Sequence, residues 1–329
     1  MRIFLPTVGV PPEISAVREF EWLARVSKSH RHELATDAAG ADVILFTECH
    51  QLDDPITLNR IRASEEFRRY RDRCFVFDQR PRAYCSLPGL YTSAPWSTLR
   101  RSYQIPWSYH KIKDDLAAPD RPVDLLFSFV GTARSHTSRE QLLQLDHPRG
   151  LVKRVDGHVP WRPDAPGFHD RRVFFAETLR RSSFVLCPRG RATSSIRFYE
   201  TMVAGRVPVV FSDEWVPPQG IDVTEFAIVW PERNIDGLID YLELHEQDAA
   251  EMGRRARRVF EEKFAPEMMF DRIGDALEQL AATMPWRSFP RYGFPPDRRV
   301  VRHAAGLARR KIDRLRQHAR DRSSNISAS

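Results

Sequence analysis

Short apolar runs alternating with helix-spaced segments recur along this chain, and that alternation limits the fold more than any other feature. MRIFLP at the start, ADVILF (Ala41 to Phe46) and RCFVFD (Arg73 to Asp78) are rich in β-branched and aromatic residues. Each is too short for a buried helix and suits a strand buried on both faces. PPEISAVREFEWLARV and the segment from Asp54 to Tyr70 lie between these runs and carry helical spacing. Strand, helix, strand in succession means parallel strands joined by crossover helices, so the expected class is doubly wound α/β. LPGLYTS (Leu87 to Ser93) and the run through Ile105 take no clear assignment.

The alternation pauses at WSYHKIKDDLAAPDRP (Trp107 to Pro122), whose charge, proline and alanine content reads as an interdomain linker. It then restarts. VDLLFSFVG, SSFVLC, VPVVF and EFAIVW read as strands. Helices are expected near 138–145, over 167–181, over 195–204 and, from the spacing of Ile235, Leu238, Ile239 and Leu242, after the last strand. Further helices end near Met284. The 329 residues suit two domains of about 150 each. The expected boundaries are 1–118 and 119–285, both Rossmann-like, followed by a basic tail over 286–329.

Composition narrows the class further. Hydrophobic residues are 42% and charged residues 29%, as in soluble globular proteins. The N-terminus does not resemble a signal peptide, and no apolar run approaches the ~20 residues of a membrane span. Cys49, Cys74, Cys85 and Cys187 show neither CxxC nor zinc spacing, so reduced, buried thiols and a cytoplasmic location are expected. From Asp297 onward, nine arginines and one lysine face three aspartates, which accounts for the whole formal charge of +7. The body is therefore neutral, which argues against a nucleic-acid partner.

The most informative stretch is CPRGRATSSIRFYE, Cys187 to Glu200. It follows a buried strand and opens a helix that Gly205 closes, so Pro188 to Ser194 is a turn at the carboxyl end of a parallel strand. Ligands bind at that edge in open α/β sheets. Gly190 permits close backbone approach, and Thr193, Ser194 and Ser195 can cap the helix or donate to an anion. The helix amides attract negative charge, and Arg189 and Arg191 supply forks suited to phosphate oxygens. Glu200, one to two turns in, can accept from a ribose diol. The stretch suits a nucleoside diphosphate. The structural alternative has solvated arginines, hydroxyls that only cap, and an Arg197–Glu200 surface pair. A phosphatase loop of the Cys-x5-Arg type is excluded, because position 193 is threonine.

FVLCPRGRATSSIRFYETMVAGRVPVVFSDEWVPP, with LLFSFVGTARSHTSREQLLQL upstream and IVWPERNIDGLIDYLE downstream, resembles the exostosin-type glycosyltransferases, family GT47. The resemblance covers Val123 to Glu243 well and the N-terminal third poorly. It implies a GT-B fold, α/β with two Rossmann-like domains facing a cleft. It also implies an acceptor side at the N-terminus, a donor site in the second domain and inversion at the anomeric carbon. By position, Arg189, Arg191 and Glu200 fall among the nucleotide-sugar contacts, with Gly131 and Arg134 on the facing loop. The implied donor is a UDP-sugar. The alternatives are a fucosyltransferase-like enzyme using a GDP-sugar, and a catalytically silent scaffold that binds nucleotide sugar.

No two aspartates are separated by one residue, so the Asp-x-Asp metal motif of GT-A transferases is missing. The expectation is a metal-independent enzyme with no cofactor beyond its donor, in which protein cations balance the leaving diphosphate. An inverting displacement also needs a base. Glu48 and His50 follow one N-terminal strand and Asp78 follows the next, beside Arg80 and Arg82. His136 is a further possibility across the cleft. The expected acceptor is a glycan or lipid-linked glycan. In the tail, Ala304, Ala305, Ala308, Ile312, Leu315 and Ala319 recur at helical steps among arginines. A basic amphipathic helix over Arg298 to Arg322 suits an anionic membrane surface, placing the protein peripherally on the inner face.

Overall fold

A computed structural model describes residues 1–10, 15–47, 55–81, 84–112, 116, 122–155 and 167–290. In the first unit the elements run β1 (Arg2–Phe4), α1 (Val17–Val26), β2 (Glu33–Leu34), β3 (Val43–Phe46), α2 (Pro55–Ala63), α3 (Glu65–Arg69), β4 (Cys74–Asp78), β5 (Gly89–Tyr91) and β6 (Gln104–Pro106). The second unit contains β7 (Leu125–Gly131), α4 (Thr137–Leu142), β8 (Gly150–Arg154), α5 (Phe168–Arg180), β9 (Ser182–Pro188), α6 (Ile196–Val203), β10 (Val207–Phe211), β11 (Ile228–Trp230) and α7 (Leu238–Leu244). Two long helices follow, α8 (Glu246–Lys263) and α9 (Pro266–Thr283).

Two fully parallel sheets result. The first has the order β2-β1-β3-β4-β5-β6 and the second β11-β10-β9-β7-β8. The expected α/β class, with two Rossmann-like units in the GT-B manner, is borne out. The central strands β3, β4 and β9 are buried along their whole length, which is why they read as unbroken apolar runs. In each sheet the order reverses once, between β1 and β3 and between β7 and β9. The loops leaving such a reversal splay apart and open a crevice.

The second sheet has its own core, in which Phe127, Phe129, Phe184, Leu186, Val209 and Phe211 pack against Leu142, Leu238 and Leu242. α9 does not join it. Met269, Phe270, Ile273, Leu277 and Leu280 belong to the core of the first sheet, so the chain crosses back after the second unit. This return is fastened by Asp271. Its carboxylate accepts from Ser27 and Ser29 and, at 3.0 Å, from the amide of His32. The segment expected to be a linker is packed in part: Trp107, Ser108, Ile112 and Leu116 are buried. Among the described residues no helix is long and apolar enough to cross a membrane. The basic tail, Arg298 to Arg322 included, lies outside the described residues.

Candidate functional site

The loops after β7 and β9 leave the reversal point of the second sheet side by side. β9 pairs with β10 through Pro188 opposite Phe211, and the amide of Arg189 continues the ladder to the Phe211 carbonyl at 3.1 Å. The backbone then leaves the sheet. Arg139, in the first turn of α4, joins the two loops. Its Nε donates to the Arg189 carbonyl at 2.8 Å, Nη2 to Pro188 at 3.2 Å and Nη1 to Thr132 at 3.2 Å. Gly190 lies against the partner loop, where an added Cβ would sit 3.4 Å from Ser135 Oγ.

Arg189 is half-buried, and its guanidinium lies 3.5 Å from Glu232, just past β11. Glu232 also accepts from the Asp213 amide at 3.2 Å and stands 4.0 Å from His136 Nε2. Burial first, then the Arg189 charge, holds the His136 imidazole below the usual histidine range against the pull of Glu232. His136 Nδ1 caps α4 by accepting from the Ser138 amide at 3.2 Å. Arg191 is exposed.

The hydroxyls do not cap α6. Ser195 holds the cap position with extended backbone, but its side chain makes no cap bond. Ser194 Oγ instead lies 3.1 Å from Ser93 Oγ and 3.0 Å from the Tyr109 hydroxyl, both from the first unit. Burial pushes the Tyr109 phenol up, with the Ser194 hydrogen bond acting in the opposite direction, so it stays protonated at neutral pH. Thr193 is buried and its Oγ1 has no partner among the described residues. Glu200 is buried and pairs with Arg172 of α5 at 3.3 Å. The Arg197–Glu200 surface pair is not what forms. Arg197 turns inward and donates to the Val130 and Leu186 carbonyls over the Phe129 ring. Gly131 makes room for this guanidinium, since an added Cβ would lie 3.0 Å from Arg197 Nη2.

The first unit contributes the opposing wall. The loop after β5 donates its Trp96 amide to the Glu214 carbonyl at 3.0 Å and its Ser97 amide to Glu214 Oε2 at 2.9 Å. The Gln219 amide reaches the Pro106 carbonyl at 3.1 Å. The carboxyl edges of the two sheets therefore meet. Over this geometry, the model of the Exostosin GT47 domain matches residues 90–243, from β5 through α7. That stretch of the chain is similar to the exostosin GT47 domain. The resemblance to the exostosin-type glycosyltransferases is thereby borne out.

Proteins to which the chain is similar include the Exostosin-1 homolog of Caenorhabditis elegans, 39% identical over 90 residues, 26% of this chain and 24% of that protein. Exostosin-1 of Drosophila melanogaster is 30% identical over 114 residues, 34% of this chain and 14% of that protein. The match thus spans a quarter or less of the length of these curated relatives. Solved structures of similar fold include Anabaena HepE in complex with UDP, 10% identical, covering 84% of this chain and 99% of that one with a TM-score of 0.45. Another is TarM, 12% identical, covering 80% and 57%, with a TM-score of 0.44.

Within the matched residues 90–243, Arg189, Gly190, Ser194 and Ser195 share one loop with exposed Arg191, and Gly131 ends β7 beside it. Arg134 is on the facing loop and exposed, its amide bonded to Thr132 Oγ1 at 3.4 Å. One expectation needs correction. Asp78 is not presented as a base: it is fully buried, and both its oxygens are taken by the Arg80 guanidinium. Glu48, His50 and Arg82 lie outside the described residues. Sequence reasoning missed Arg139, Glu232, Tyr109 and Ser93. Arg139 reads as a solvent-facing helix residue, and Glu232 as part of a polar turn, so neither carried a signal.

Proposed function

We propose that the chain transfers a sugar from a nucleotide sugar, a UDP-sugar by family resemblance, to a glycan or lipid-linked glycan acceptor. The observation that carries this reading is the loop pair at the β7/β9 reversal. It combines a helix start without a side-chain cap, a buried Thr193 hydroxyl that has no partner among the described residues and an exposed arginine beside Gly190. Such a set of donors suits a diphosphate. Arg191 and the amides near Ser194 and Ser195 hold the diphosphate, with Arg189, steadied by Glu232, at its flank. Glu200 faces the ribose, and Gly131 and Arg134 close the other side.

In the inverting step, the acceptor hydroxyl oxygen forms a bond to the anomeric carbon from the face opposite the diphosphate. The carbon–oxygen bond to the diphosphate breaks, and its electron pair leaves with the diphosphate. The hydroxyl proton goes to a base, for which Glu48 and His50 after β3 are the candidates. Arginine charge balances the developing anion without a metal. Arg191→Ala should weaken UDP binding at least tenfold by calorimetry, and unchanged affinity would reject this placement. Turnover should persist in EDTA; a complete loss restored by manganese would count against metal independence.

The burial of Asp78 favours one second reading, a scaffold that binds nucleotide sugar without turning it over. Radiolabelled UDP-sugar and GDP-sugar panels with acceptor extracts separate the readings: transfer rejects the scaffold, and the productive nucleotide names the donor class. For the tail, removal of residues 297–329 should lower association with anionic liposomes while nucleotide affinity stays unchanged. Undiminished association would reject a membrane role for Arg298 to Arg322.

A further inference from the structure

Arg139 and Arg197 are two guanidinium groups set behind the candidate diphosphate loops, and among the described residues neither forms an ion pair with a carboxylate. Arg139 gives all three of its nitrogens to backbone carbonyls, whereas Arg197 reaches two carbonyls through Nη1 and Nη2 and its buried Nε has no partner among the described residues. Burial and then the nearby Arg197 charge lower Arg139 to about 9, which leaves it charged at neutral pH. Burying a charge this way is costly, so the contacts it makes need a reason.

The reason lies in the planarity of the peptide bond. In a trans peptide the carbonyl and the following N–H point in opposite directions across one rigid plane. Arg139 holds the carbonyls of Thr132 and Arg189, so the N–H groups of Ala133 and Gly190 are directed away from it. Neither amide has an acceptor among the described residues. One guanidinium thus fixes three peptide planes on two different loops at the sheet's reversal point.

We propose that Arg139 is the positioning residue of the diphosphate site, orienting the amide of half-buried Gly190 toward the phosphate oxygens while it ties the Thr132–Ala133 peptide of the facing loop in place. It does not touch the ligand; it determines which way the loop donors face. This rests on the nucleotide reading above and assigns that reading a pre-organising residue. Anion binding by successive amides depends on such fixed orientation, because turning a peptide plane at the moment of binding costs affinity.

The test compares the full-length wild type with Arg139→Gln and Arg139→Lys. Folding is followed by thermal melting, and binding of UDP, GDP, uridine and guanosine by calorimetry and ligand-observed NMR. The expected result is a tenfold or greater loss of nucleoside diphosphate affinity in Arg139→Gln, with nucleoside affinity within twofold. Arg139→Lys keeps the charge but cannot span three carbonyls, and should lose three- to tenfold. A purely structural residue would lower both ligand classes together, and that pattern would overturn the assignment. Unchanged diphosphate affinity in folded variants would overturn it as well. If Arg139→Gln does not fold, Arg139→Lys is judged by the same two criteria. A wild type that binds neither diphosphate defeats the nucleotide reading and this inference together; a binding wild type with unaffected variants defeats this inference alone.

Discussion

Cys187 shows how burial decides what one residue does. It precedes the arginine-rich loop, where a nucleophilic thiol would be conspicuous. Burial pushes its pKa up to about 12, with smaller opposing effects from Thr201 and Arg197, and Cys85 is raised to about 12 in the same way, by burial first. The thiolate is the reactive form, so both should resist thiol reagents in the native state. Peptide mapping after brief treatment with a disulfide reagent should find Cys74, Cys85 and Cys187 unlabelled until denaturant is added; rapid native labelling of Cys187 would contradict its placement. Arg197 makes a parallel point. From sequence it belongs with Glu200 three positions on, yet the ring of Phe129 and two carbonyls offer it an enclosed seat that Gly131 leaves open. Spacing along a helix identifies a neighbour, but it does not reveal the ring and carbonyls that an inward-turned side chain meets.

Among the secondary-structure elements, α9 has the least visible role in the sequence and a large one in the structure. Its helical character was legible, as were β1, β3, β4, β7, β9 and β10, because long apolar periodicity and buried runs are local signals. Which sheet α9 covers is not local, and neither are the two- and three-residue strands β2, β5 and β6, which exist through pairing with neighbours rather than through their own composition. β8 was missed for a related reason: as an edge strand, its GLVKR is at most half-buried and carries no apolar run. The candidate site divides similarly. Its loop was legible from glycine, arginine and hydroxyl residues beside a strand end, whereas Arg139 and Glu232 come from elements whose relation to that loop is set only by sheet order. α9 also yields a stability prediction. Asp271→Ala would orphan the Ser27, Ser29 and His32 donors, at a cost of about 1–3 kcal/mol in urea unfolding. Burial alone would raise the Asp271 carboxyl, but hydrogen bonds from Ser27, Ser29 and the His32 amide outweigh it, and the net shift is downward. A depressed folded pKa stabilises the protein above the unfolded value of about 4, and that stabilisation fades as pH falls through the folded value. The gap between wild type and Asp271→Asn should therefore narrow below about pH 4; a gap independent of pH would argue against this role.

On the scale of the whole molecule, two sheets meet through their carboxyl edges, and a polar seam lies beside the apolar cluster that Phe198, Tyr199 and Met202 share with the first unit. Ser194, Ser93 and Tyr109 form the seam closest to the candidate diphosphate loop. Ser194→Ala and Tyr109→Phe each remove one hydroxyl from it. A double-mutant cycle should give a coupling of about 0.5–3 kcal/mol, the range for residues sharing one network; additive effects would mean the seam is energetically silent. The seam also has a mechanical consequence. The serine it secures sits two positions before the first residue of α6, so drawing the sheets apart pulls on the same backbone that is proposed to grip the leaving nucleotide. Spent nucleotide and a parted cleft would then go together, and the grip could not loosen while the halves remain shut.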